Sequence, residues 1–295
     1  MVIFYMGSGA GQQLINLGNV GDQTLFFVVG LLLVSCIVPV AMTRPPPHPV
    51  LPEVLPVGLK TIMKRAPLGI IGCLFAGLAT SVFFTMGPVF CTQLGFSVSQ
   101  LSGFMTVTLL GGLVFQWPVG TISDRYDRSL VIPVLAGLFA VISCFMIVAV
   151  QSSFGLFMAA SLAFGGLMFS IYPVAVARSH DMFEPKDVVN VSSALLLFFG
   201  IGSVIGPVIS SSCMAVSGSP HGFFVYFSAA SLIFAVVSFG LRQREIAQIV
   251  PVETQVDFMI LNHTSQIALQ TNSCLENDKT ESESIKDTLY SQNHV

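Results

Sequence analysis

Seven stretches of the chain are apolar almost from end to end: Leu25 to Met42, Leu68 to Cys91, Leu101 to Ile122, Leu130 to Val150, Phe154 to Ala177, Val188 to Ala215 and Phe223 to Leu241. A helix that crosses a bilayer needs about 20 predominantly apolar residues, so each run predicts a membrane-crossing helix. Runs two to seven hold no Asp, Glu, Lys, Arg or His in their interiors. A charge at the bilayer centre costs at least about 2.5 kcal/mol, and its absence fits insertion. The pattern therefore predicts an all-α, polytopic membrane helix bundle. Ahead of the first run, Met1 to Leu17 is too short to cross and reads as the end of a further helix. Its small and amide residues, Gly7, Gly9, Gly11, Gln12, Gln13 and Asn16, suit a packed helix terminus.

Two segments break the pattern. Thr43 to Ala66 opens with Pro45, Pro46 and Pro47, adds Pro49 and Pro52 and ends basic, which predicts an extended linker between two helical groups. Beyond Leu241 the composition turns polar and acidic, with too little apolar content to form a core. Residues from about 246 onward are expected to be mostly disordered, with VETQVDFMILNH a candidate for a short surface helix.

Composition agrees with the pattern. Hydrophobic residues make up 53% of 295 positions, charged residues 9%, and the mean hydropathy is +0.81; a soluble domain carries about 25% charged residues. Charge adds orientation. The net charge of −3 comes from residues 243 to 295, where three bases meet eight acids; the remainder holds nine bases against seven acids. All twelve Lys and Arg fall on one side of the alternating helices: Arg44, Lys60, Lys64 and Arg65, then Arg125 and Arg128, then Arg178 and Lys186, then Arg242, Arg244, Lys279 and Lys286. Basic residues are retained in the cytoplasm, so this side is expected to be cytoplasmic, together with the C-terminus, in an inner or plasma membrane. The opposite connections, near 92–100, 151–153 and 216–222, contain no ionisable acid or base apart from a histidine, and Asp22 is the one acid placed on that face.

Candidate chemistry concentrates in QWPVGTISDRYDRSLVI, Gln116 to Ile132. Gly120 stands where an apolar run is ending, Asp124 and Arg125 follow, and Asp127 and Arg128 close a very short polar connection. A glycine allows close helix approach. Asp124 is poorly placed beside the negative end of its own helix and better used against the positive start of a neighbouring one. Arg125 and Arg128 can pair with Asp127 or other surface carboxylates at about 0 to 1 kcal/mol each, weak enough to break in every cycle of a gate. The alternative is a loop anchored only by its positive charge. In Val188 to Ala215, Gly200, Gly202 and Gly206 precede Pro207; Gly202 and Gly206 make a flat face for packing, and the proline is a site for a kink. Thr80, Ser81, Gln116 and Tyr172 are polar groups inside the apolar runs, candidates for touching a small solute or for helix-to-helix hydrogen bonds. Trp117 reads as an interfacial ring. The six cysteines show no CxxC or paired spacing and read as apolar fillers. No metal cluster, phosphate loop or nucleophile with a base is visible, so no cofactor, metal or enzymatic activity is expected, and no nucleic-acid partner. Neither charged run interiors nor an aromatic cage suggests a proton relay or a charged ligand in this part of the chain.

The stretch GTISDRYDR resembles the cytoplasmic loop signature of the major facilitator superfamily: Gly, three residues, Asp, Arg, any residue, Asp or Gly, Arg, then a basic residue. Gly120, Asp124, Arg125, Asp127 and Arg128 match, and Ser129 departs where the family usually has Arg or Lys. With QWP ahead of it, YPVAVARSHD (Tyr172 to Asp181) and GIGSVIGP (Gly200 to Pro207), the chain is similar to the YcaD-like subgroup. The resemblance implies two six-helix halves with substrate between them. It makes residues 1–42 the remnant of an N-terminal half (part of helix five, and helix six), 43–67 the central cytoplasmic linker, 68–241 the C-terminal half and 242–295 the tail. It implies a secondary transporter of a small solute working by alternating access, with the lipid bilayer and a separately encoded or missing N-terminal half as partners. A non-transporting remnant and a seven-helix receptor or scaffold are the alternatives.

Overall fold

The structure, a computed structural model, describes residues 2–18, 23–43 and 58–245. The proline-rich stretch, Asp22 and the tail expected to be disordered, including VETQVDFMILNH, lie outside these residues. Every regular element among the described residues is helical. The first is α1 (Val2–Gln13), continued by a 3-10 turn at Leu14–Leu17, then α2 (Thr24–Met42) and a short α3 (Leu59–Arg65). Six long helices follow: α4 (Pro67–Gln93), α5 (Val98–Arg125), α6 (Arg128–Ser152), α7 (Phe154–His180), α8 (Val188–Ser217) and α9 (Gly222–Glu245). All six are long and apolar enough to cross a membrane. Each sequence run is thus a helix, and most extend a residue or more beyond the apolar stretch, into the polar residues that cap them.

The helix limits follow from local chemistry. Pro67 opens α4, where its missing N–H is no loss. Ser97 starts α5 with a reciprocal cap: the Gln100 N–H donates to its hydroxyl at 3.3 Å, and its own N–H donates to the Gln100 side chain at 2.9 Å. Ser153 caps α7 by accepting from the Leu156 N–H at 3.2 Å. Gly218 ends α8 at φ 57°, a left-handed position suited to glycine. One expectation needs correction. The end of the basic, proline-rich stretch is not extended, because Leu59–Arg65 coils into α3 and buries Ile62 to 1% exposure. Leu59, Ile62 and Met63 supply an apolar side that the preceding prolines hid from a composition reading.

α4 lies at the centre, packed on α8, α7 and α9; α5 packs on α7, and α6 on α7 and α9. Lipid tails are as apolar as the helices, so hydrophobicity does not drive this association; close backbone approach does. At the α4–α8 seam, a Cβ on Gly77 would collide with the Phe199 carbonyl, and one on Gly202 with the Leu74 carbonyl. One on Gly206 would stand 2.7 Å from the Leu78 carbonyl oxygen. The α5–α7 seam repeats the device, with Gly111 against the Leu162 carbonyl and Gly165 against that of Thr108. At the end of the bundle without charges, Phe90, Phe104, Phe157, Phe223, Phe224 and Phe227 are fully buried and pack ring to ring, for example Phe90 on Phe223 at 5.1 Å between centroids. α1 lies along α5.

Candidate functional site

The opposite end gathers the ionisable side chains. α5 ends at Arg125, only Tyr126 and Asp127 intervene, and α6 begins at Arg128. Asp127 caps α6: its carboxylate accepts from the Ser129 N–H at 2.9 Å and from the Ser129 hydroxyl at 2.6 Å. Its second oxygen stands 3.6 Å from the Arg242 guanidinium of α9, and the Arg242 Nε–H donates to the Ser129 hydroxyl at 3.4 Å. Burial pushes the Asp127 carboxyl up, but the two Ser129 hydrogen bonds and the positive Arg178 and Arg242 outweigh it, leaving the group below its ordinary value.

Arg128 forms the second part of the knot. One guanidinium nitrogen donates to Asp124 at 2.8 Å and another to Asp181 at 2.6 Å. Asp181 follows α7 directly, so this fork joins the α5–α6 turn to the α7–α8 turn. Burial pushes the Asp181 carboxyl up, and the Arg128 and Arg178 charges oppose the rise without cancelling it. Arg178, 3% exposed, lies close enough to act on both Asp127 and Asp181. Nearby, the Arg65 guanidinium rests 5.2 Å from the Phe183 ring centre.

These positions add three details to the sequence reading among the described residues. The acid at a helix start is Asp127, at the head of α6; Asp124 instead bonds Arg128 and is 71% exposed at its side chain. Of the two pairings left open for Arg128, it takes the other surface carboxylates, Asp124 and Asp181, and not Asp127, while Arg125 is exposed and meets no carboxylate among the described residues. Gly120 approaches no other described helix: beyond its own helix backbone, the place of a Cβ there has no described atom within 4 Å. Asp181, Arg242 and Ser129 are the members that spacing did not single out. Asp181 was within reach, as the last residue of YPVAVARSHD. Ser129 was visible only as a departure, and its hydroxyl, bound to both Asp127 and Arg242, shows what replaces the usual basic residue.

The other candidates scatter. Gly202, Gly206 and α4 form the seam described above, whereas Gly200 is exposed with open space around it, and Pro207 lies inside α8. Ser81 donates to the Leu78 carbonyl of its own helix at 3.4 Å. Tyr172 meets Phe199 edge-on at 5.2 Å, and Thr80 and Gln116 are half-buried on α4 and α5. A cavity of about 390 Å³ opens between α4 and α8 at the uncharged end, lined by Met86, Val89, Gln93, Ser211 and Met214 among others. A shallow one of about 730 Å³ runs along the outer face of α8 past Leu197, Gly200 and Val204. Neither is lined by Thr80, Ser81, Gln116 or Tyr172.

The family model of the Major Facilitator Superfamily matches residues 2–128 and 92–268, which together take in most of the chain and twice include the charged turn. The chain belongs to the Major Facilitator Superfamily. It is 30% identical over 218 residues to an "Uncharacterized MFS-type transporter" of Yersinia pestis (strain Pestoides F), covering 72% of this chain and 55% of that protein. It is 28% identical over 243 residues to an MFS-type transporter of Enterobacter sp. (strain 638), and 27% identical over 243 residues to the MFS-type transporter YcaD of Escherichia fergusonii, covering in each case 80% of this chain and 61% of the relative. The chain spans little more than half the length of these curated relatives. As a member of the superfamily with six long apolar helices, it is a multi-pass membrane protein.

Proposed function

We propose that the whole protein is a secondary transporter that moves a small solute by rocking one helical bundle against another, and that the charged turn latches one of its states. In this reading α1 and α2 belong to the N-terminal half, α4 to α9 form the C-terminal half, and the charged end with the C-terminus faces the cytoplasm of an inner or plasma membrane. The reading does not extend to an enzymatic activity. The observation that carries it is the Arg128 fork. A single guanidinium holds Asp124 at 2.8 Å and Asp181 at 2.6 Å, while Asp127 reaches Arg242, so side chains from four helix ends meet at one surface. Exposed or half-exposed pairs of this kind contribute about 0 to 1 kcal/mol each. Such a set is strong enough to bias a two-state equilibrium and weak enough to be broken in each cycle.

Asp124 supports the gating role in a second way. It is the most exposed acid of the knot, and the open space beside Gly120 on the preceding turn leaves that face free for a helix of the partner half. The test is uptake and efflux of a panel of candidate solutes in vesicles containing this chain joined to an N-terminal half. Asp124→Asn is expected to slow transport severalfold with insertion unchanged. Wild-type rates in a correctly inserted variant would overturn the latch, and the absence of any protein-dependent flux in the wild type would overturn the transport reading.

A further inference from the structure

We propose that the polar seam between α1 and α5 is a clasp that closes the uncharged end of the molecule, opposite the charged latch; this inference rests on the transporter reading above. The seam is built on one stripe of each helix. Tyr5, Gly9, Gln13 and Asn16 follow one another at helical spacing, and Ser102 and Thr106 are one turn apart on α5. Tyr5 is buried and meets the Phe169 ring edge-on at 5.3 Å, forming an apolar foot. Above it a set of polar side chains bridges the two helices. The Gln13 Nε2–H donates to the Thr106 hydroxyl at 2.7 Å and to the Ser102 carbonyl at 3.4 Å; the Thr106 hydroxyl donates to the Gly9 carbonyl at 3.3 Å. The Asn16 Nδ2–H donates to the Ser102 hydroxyl at 2.8 Å and to the Gln13 side-chain oxygen at 3.0 Å.

Elsewhere in the bundle most hydroxyls serve their own helices, although Ser203 also donates to the Gly77 carbonyl of α4 at 3.4 Å and Ser228 meets the Cys144 thiol of α6 at 2.9 Å. Thr108, Ser143, Ser161 and Ser170 each donate to the carbonyl four residues earlier, the usual way a membrane helix satisfies such a group. Ser102 and Thr106 differ in receiving amide donors from another helix. The seam also lacks the glycine interlock that fixes α4 on α8. A Cβ on Gly9 would lie 3.9 Å from the nearest atom, Thr106 Cγ2, an ordinary contact that leaves room to slide. Uncharged, reciprocal and loosely packed bonds can exchange protein partners for water when the end opens, so that neither state leaves a polar group unsatisfied.

The test is pulsed electron resonance on this chain joined to an N-terminal half, in lipid nanodiscs, with spin labels on non-natural side chains at positions 17 and 98 across the seam, 42 and 122 at the charged end, and 138 and 232 within the six-helix bundle. Native protein should give one short 17–98 population. Gln13→Leu combined with Asn16→Leu should raise a longer population severalfold, Thr106→Val should do so more weakly, and Thr106→Ser should restore the native distribution, all with 138–232 unchanged. If the double variant disturbs 138–232, Thr106→Val decides. A 17–98 distribution unmoved by the variants overturns the clasp. Opening of the seam without any change in 42–122 supports the clasp and overturns the rocking motion.

Discussion

Asp127 has three attachments with different consequences. As the cap of α6 it accepts two hydrogen bonds from Ser129, and as an anion it faces Arg242. Asp127→Ala is expected to lower stability in detergent by about 0.5–2 kcal/mol, the usual cost of a lost cap, read from a thermal or denaturant midpoint. Two of the knot's three acids, Asp127 and Asp181, titrate with opposite effects. Asp127 lies below its ordinary 3.8, so its contribution is complete above that value and is lost as pH falls through its folded pKa. Asp181 lies above 3.8, so the folded state binds its proton more tightly and gains stability as pH falls through that window. In melts run from pH 7 to pH 3, Asp127→Asn is therefore expected to flatten the acid loss of stability. Asp181→Asn is expected to steepen it, and the same slope in both variants would contradict the assignment. These roles were only half legible: the motif placed Asp127 and Arg128 on one turn, but Arg242 lies over a hundred residues away, and nothing local marks it as a partner.

The helices were read more completely than their contacts, for a physical reason. An apolar run long enough to cross a bilayer declares itself in one dimension, and the observed limits follow the runs closely. Which side of a run meets another helix is a different matter, because lipid and protein interior are equally apolar and leave no amphipathic stripe. Gly77, Gly111 and Gly165 sit at backbone contacts, while Gly137 and Gly240 face open space, and nothing in their neighbouring residues separates the two groups. Within α8 the structure draws this line two residues apart. Gly202→Ala drives a methyl group into the Leu74 carbonyl and is expected to destabilise the bundle by about 1–3 kcal/mol. Gly200→Ala meets nothing and is expected to be neutral or to stabilise by up to about 1 kcal/mol. Thermal midpoints of the two variants, compared in one detergent, check the contrast.

For the molecule as a whole, the fold arranges two unlike ends: a knot of charge where α5 to α9 turn, and a block of phenylalanine rings with an amide seam at the other. An epitope placed after Val295 is expected to be reached by antibody only after the membrane is permeabilised. Staining of intact cells would reverse the proposed orientation. The chain also carries its own reporter of depth. Its single tryptophan, Trp117, is 82% exposed on α5, two turns before the charged knot. All indole emission therefore originates from one point, on the helix that ends in the latch and whose other end carries the seam. Quenching by lipids brominated at graded chain positions would locate that point against the headgroups, and a change in the quenching profile on adding a solute would report tilting of α5 with no label attached.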